Sequence, residues 1–89
     1  MKIKVYNMIS PNGNKVPNQF EIYTSKGKYF QSYQSIIAFI DNNGQVFLDE
    51  ELWNYSRTTS KYRNIFLNDD TNSVKDKNKS GKYKFKELN

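Results

Sequence analysis

Trp53-Asn54-Tyr55-Ser56-Arg57-Thr58-Thr59-Ser60-Lys61-Tyr62-Arg63-Asn64-Ile65-Phe66-Leu67 divides the chain into two unlike halves. It holds the only tryptophan and both arginines. Tyr62, Ile65 and Phe66 stand at i, i+3 and i+4, the spacing of one buried helical face. Thr58 or Thr59 offers the hydroxyl that caps such a helix, which runs to about Asn68. A helix here, among segments that otherwise alternate, makes the chain α+β.

The segments before it read as strands. Lys2-Ile3-Lys4-Val5-Tyr6 has period two, with Ile3 and Val5 facing the core. Ser10-Pro11-Asn12-Gly13-Asn14 is a turn, and Lys15-Val16-Pro17-Asn18 continues it as loop. Phe20-Glu21-Ile22-Tyr23-Thr24 alternates again, with Phe20 and Ile22 on one face. After Ser25-Lys26-Gly27, Lys28 to Tyr33 returns as the second arm of a hairpin. Ile36-Ile37-Ala38-Phe39-Ile40 is the one continuous apolar run. Its β-branched and aromatic content favours a buried strand, with a short helix opening near Ser35 as the alternative. Asp41-Asn42-Asn43-Gly44 is a hairpin signal that pairs this run with Gln45-Val46-Phe47-Leu48.

Beyond Leu48, Asp49 caps a helical turn through Trp53. Past the central helix, Thr71 caps a polar helix to Lys79, with Val74 its single apolar contact and Gly81 its C-cap. Lys82 to Leu88 alternates strictly as a terminal strand, with Tyr83 and Phe85 inward. The expected architecture is a single α+β domain over 1–89. A small, mainly antiparallel sheet packs against two or three short helices: a strand-rich half at 1–48, a helical segment at 49–80 and a last strand at 82–88.

Composition narrows the chemistry. The 89 residues include no cysteine and no histidine. Disulfides, thiolate metal sites and imidazole acid–base chemistry are therefore excluded. No apolar run approaches the ~20 residues of a membrane span, and the N-terminus lacks the apolar region of a signal peptide, so a cytoplasmic protein is expected. Asp49-Glu50-Glu51 and Asp69-Asp70 are the acidic clusters; paired carboxylates can hold Mg²⁺, but adjacent acids at a helix start point in different directions and capping explains them without a metal. No cofactor and no enzymatic activity are expected.

Net charge is +5, of which +1 falls in residues 1–50 and +4 in residues 51–89. Such a surplus favours an anionic partner, although an abundance of Lys and Asn is also a plain matter of composition. Arg57, Lys61 and Arg63 lie among Trp53 and Tyr55, with Thr58 and Thr59 between. Guanidinium, ammonium and hydroxyl groups meet phosphate oxygens, and rings stack on bases. On a helix Lys61 and Arg63 lie about 160° apart, so they do not share a stripe, and Arg63 falls at the core edge where an acid would pair with it. Lys75 and Lys79, with Lys82, Lys84 and Lys86 on the last strand, extend a phosphate-tracking surface or, alternatively, protect an edge strand.

Tyr29-Phe30-Gln31-Ser32-Tyr33, Ile36-Ile37-Ala38 and the run from Trp53 to Arg63 with Phe66-Leu67 resemble a family of small phage-encoded proteins. Asn18-Gln19-Phe20 and Gly81-Lys82-Tyr83 are similar too, so the likeness spans nearly the whole chain. That family has no established activity, so no functional residue carries over. The resemblance implies a phage accessory protein, a class whose members commonly bind nucleic acid or block a host enzyme. Two readings follow: a non-enzymatic protein that binds DNA or RNA through a basic and aromatic surface, or a stoichiometric inhibitor of a host nucleic-acid-processing protein, of the anti-CRISPR or another anti-defence type. Neither fixes an oligomeric state.

Overall fold

In the computed structural model, which describes residues 2–89, six strands form one sheet in chain order: β1 (Lys4–Ile9), β2 (Lys15–Thr24), β3 (Gly27–Ser32), β4 (Ser35–Asp41), β5 (Val46–Asp49) and β6 (Tyr83–Lys86). The first five are an antiparallel meander. β6 pairs parallel to β5. A parallel neighbour needs a long crossover, and here it carries helices α1 (Arg57–Leu67) and α2 (Thr71–Lys79). The apolar run at 36–40 is a strand, and Asp41 to Gln45 turns it back onto β5, with the Gly44 N–H donating to the Asp41 carbonyl at 3.0 Å.

Cross-strand partners share a face of the sheet. The row Tyr6, Glu21, Phe30, Ala38, Leu48 and Phe85 faces the helices. Phe30 stacks on Phe66 of α1 at 5.8 Å, and Val74 of α2 is fully buried in the same cluster. The row Val5, Ile22, Tyr29, Phe39, Phe47 and Lys84 runs across all six strands on the other face. α1 packs on β3 and β4 and α2 on β6, so no helix covers that second face. Gly27 sits under it: a Cβ there would strike the Ile40 carbonyl oxygen and the Phe39 ring, and its φ of +143° suits glycine alone.

Several expectations are corrected. Ile3 and Val5 alternate like core residues but are 60% and 59% exposed, because the side of the β1 edge that carries Val5 is the helix-free one, while Met8 on its other side is buried in the core. Phe20 and Ile22 share a face, but it is the helix-free one. Lys15–Asn18 belongs to β2 and bulges out of the β1 ladder between Ile9 and Asn7, with Asn18 at φ +65°. Tyr33 lies in the turn after β3, at φ +58°. Ile65 is exposed; the buried face of α1 is Thr59, Tyr62, Arg63 and Phe66, one residue round from the apolar stripe.

The caps also move. Ser56, not Thr58 or Thr59, caps α1, with its hydroxyl accepting from the Thr59 N–H at 3.1 Å. Thr59 faces inward instead and shares a 2.9 Å hydrogen bond with Ser32. Asp70, not Thr71, caps α2, and Gly81 lies one residue past the C-cap Ser80. Asp49 caps its turn as expected, accepting from the Leu52 N–H at 2.9 Å. Phe85 shares the helix side with Tyr83 and packs on Trp53 at 5.9 Å, yet is 47% exposed because β6 is the other edge.

Candidate nucleic-acid interface

Arg57, Ser60, Lys61 and Asn64 stand at i, i+3, i+4 and i+7 of α1 and so form one polar stripe. With Asn54, Tyr55 and Ser56 from the preceding loop and Thr71 from α2, they line an open cleft of about 630 Å³. Among the described residues no carboxylate lines it. Among the described residues the one ion pair is Lys77 with Asp69 at 2.8 Å, which leaves Arg57 and Lys61 without an acidic partner. Both are exposed, as is Tyr55 at 48%.

Arg63 lies beneath this cleft and is wholly buried. Its Nη1 donates to the Trp53 carbonyl at 2.7 Å and to Asn54 Oδ1 at 3.0 Å. Its Nε and Nη2 donate to Asn64 Oδ1 at 3.2 and 2.8 Å, and Nη2 also reaches Thr71 Oγ1 at 3.4 Å. The guanidinium rests over the Trp53 ring at 5.3 Å. Every partner is neutral, so the expected acid beside Arg63 is replaced by carbonyl and amide oxygens. Burial pushes the Arg63 guanidinium below its ordinary value, and the charge of Asp69 opposes that shift. An arginine remains charged through such a change. The floor of the cleft therefore carries a positive charge that no carboxylate neutralises within ion-pair distance.

Asn54 and Asn64 tie this charge to the cleft wall. Asn54 Oδ1 accepts from Ser60 Oγ at 2.7 Å as well as from Arg63, and Asn64 Nδ2 donates to Thr71 Oγ1 at 3.0 Å. The network ties the loop before α1 and the second half of α1 to the start of α2. An anion set between Arg57 and Lys61 would meet two mobile cations, several hydroxyls and a fixed positive charge below.

The remaining candidates are scattered. Trp53 is only part-buried, but Arg63 and Phe85 pack on it and it touches the core, so it offers no base a free face. Thr58 is exposed but outside the cleft, and Thr59 is fully buried. Lys75 stands one turn along α2 from Thr71 and prolongs the cleft rim, with Lys79 a turn further. Lys84 and Lys86 pair in register with Phe47 and Asp49 and so belong to the helix-free face, and Lys82 is exposed just before that strand. These lysines do not join the cleft. The stripe from Arg57 to Asn64 was present in the sequence at helical spacing.

The profile of a family of unknown function, DUF8033, matches residues 3–84. The chain belongs to the DUF8033 family. No curated protein and no solved structure matches it. All the cleft residues, and Arg63 beneath them, fall inside the DUF8033 span.

The carboxylates of this DUF8033 fold have structural work. Asp70 caps α2, and Asp49 accepts from Leu52, Leu88 and Asn89. Asp69 accepts from Lys77 Nζ and from the Tyr83 hydroxyl, each at 2.8 Å. Among the described residues no three acids gather as a metal-ligand set. Burial alone would raise the Asp69 carboxyl, but the hydrogen bonds from Lys77, Ser73, Tyr83 and the Asp70 N–H outweigh it and hold it far below the usual carboxylate range. Asp49 is lowered in the same manner.

A carboxyl lowered on folding stabilises the fold above its unfolded value of about 4, and that contribution is lost as pH falls toward the folded value. Melting temperature is thus expected to fall as pH drops below about 4, and Asp69→Asn is expected to lower it at neutral pH and flatten the acid decline. Thermal melts across pH read both. An unchanged acid slope in Asp69→Asn would show that the carboxylate carries no such linkage.

Proposed function

We propose that this chain binds nucleic acid, without catalysis, through the cleft lined by α1, the loop before it and the start of α2. The observation that carries this reading is the pairing of exposed Arg57 and Lys61 with buried, carboxylate-free Arg63 in a cleft without acids. Phosphates would sit between Arg57 and Lys61 with the Ser56 hydroxyl as a neutral donor, and Tyr55 presents a ring to a base. Lys75 would take the next phosphate along α2. A phage accessory protein acting in the host cytoplasm fits this reading, which there rests on the resemblance of the central motif. Among the described residues no helix is long and apolar enough to cross a membrane.

Anisotropy titration of labelled single- and double-stranded DNA and RNA at two salt concentrations tests the proposal. Binding is expected at low salt and weakens about tenfold or more as salt rises from roughly 50 to 200 mM, since each neutralised phosphate releases counterions. No binding at low salt, or binding indifferent to salt, overturns it.

A second reading, a stoichiometric inhibitor of host machinery, draws on the other edge of the molecule. There Tyr6 and Tyr23 meet edge-on at 5.5 Å and stay 51% and 41% exposed, a ring pair of the type enriched at protein hot spots. A host protein retained by the chain after nuclease treatment, together with a silent oligonucleotide titration, would favour that reading.

A further inference from the structure

We propose that two copies of this chain associate through the helix-free face of the sheet, independently of the cleft. The fold is a slab of 34 × 32 × 20 Å whose helices cover one side of the sheet only. The open side carries Val5, Phe20, Ile22, Tyr29, Phe39 and Phe47 in neighbouring register. Antiparallel sheets normally turn polar side chains to water on such a side. Here the alternation is apolar on both.

Ring geometry decides the occupant. Tyr29 stacks on Phe39 at 4.3 Å with planes 21° apart, and Phe39 on Phe47 at 6.0 Å and 17°. The Lys86 ammonium stands over Phe47 at 5.2 Å. Both faces of Phe39 and of Phe47 and one face of Tyr29 are thus taken. A base needs an open ring face, so this ladder is a poor platform for nucleic acid and a good apolar floor for a second protein surface.

Size and charge point to a copy of the same chain. Six strands about 4.8 Å apart and about six residues long give a face of roughly 29 by 20 Å, or on the order of 600 Å² per partner. Two such faces bury about 1,200 Å², above the ~1,000 Å² that marks a specific pair. Lys84 and Lys86 sit at the β6 border and Val5 at the β1 border. A twofold axis parallel to the strands sets β6 of one copy over β1 of the other. The lysine stems then cover the partner's apolar edge while the two ammonium clusters stay at opposite ends. The clefts of such a pair face outward on both sides.

Sedimentation velocity over about 1–300 µM tests the proposal. The wild-type chain is expected to shift from monomer to dimer within that range. Ile22→Lys and Val5→Lys are each expected to weaken association at least tenfold, while Ile65→Lys, on the exposed side of α1, leaves it unchanged. Val5 is largely exposed, so its variant folds even if Ile22→Lys does not, and circular dichroism checks both. A chain that stays monomeric throughout, or a dimer indifferent to Val5→Lys, overturns the inference. So does a dimer that only Ile65→Lys dissociates. Oligonucleotide binding lost in Val5→Lys but kept in the cleft variants would assign the face to nucleic acid instead.

Discussion

Replacing Arg57 and Lys61 together by alanine is expected to weaken oligonucleotide binding by roughly 30- to 150-fold at low salt. Each removes one charge-assisted phosphate contact of about 1–1.5 kcal/mol, and about 1.4 kcal/mol is tenfold in affinity. The slope of log affinity against log salt is expected to become shallower by about 1.4 for a single strand, the share of two phosphates. Both side chains are exposed, without an acidic partner, so the fold loses little when they go. The matching control is Lys84→Ala with Lys86→Ala, two charges removed from the far side of the sheet. Net charge falls equally in the two double variants, so a general electrostatic attraction would weaken both alike. A site would weaken only the first. Equal losses would reduce the cleft to one part of a diffuse positive surface.

Arg63→Ala is expected to cost about 3 kcal/mol of stability, which lowers the melting temperature by roughly 12–24 °C in a domain of this size. Two half-buried residues have an acceptor left without a donor, the Trp53 carbonyl and Asn64 Oδ1, while Asn54 and Thr71 keep Ser60 and Asn64 as donors. Each buried acceptor left bare costs about 1–3 kcal/mol. Removing a buried charge gives part of that back, because the guanidinium had to leave water to be there. Arg63→Lys separates charge from geometry. An ammonium keeps the charge but cannot span the Trp53 carbonyl and Asn64 together, so this variant is expected to recover less than half of the loss. Thermal melts followed by circular dichroism decide it. A variant as stable as the wild type would mean that the network joining α1 to α2 contributes nothing net.

The sequence announced local structure better than it announced surroundings. Asn43-Gly44 after an apolar run, and the alternation in Phe20–Thr24 and Lys82–Lys86, concern neighbours a few residues apart, and those elements appear where their residues put them. What alternation cannot say is which side a second layer will cover. Val5 and Phe30 are equally apolar, yet Phe30 lies on the face that α1 covers and Val5 on the other. Four hydroxyl residues in a row, Ser56 and Thr58 to Ser60 with Arg57 between, all suit a cap, and tertiary contact chose among them: Thr59 turned to meet Ser32, which left Ser56 at the helix start. The 160° angle between Lys61 and Arg63 did send Arg63 inward. Its acceptors were not legible, because they come from a backbone carbonyl ten residues earlier and from two asparagines with no charge to advertise them. The cationic pair that does share a stripe is Arg57 with Lys61, four residues apart.

The parallel place of β6 sets an order in time. Strands β1 to β5 are joined by short turns, so each can zip onto the one before it at small loop-closure cost, whereas β6 comes back only after 33 residues of crossover. Until Tyr83–Lys86 arrive, β5 is a bare edge with Val46 and Leu48 beside it, and the helices have only half a floor. The lysines of that last strand thus travel with the segment whose late docking hides the most aggregation-prone border of the nascent sheet.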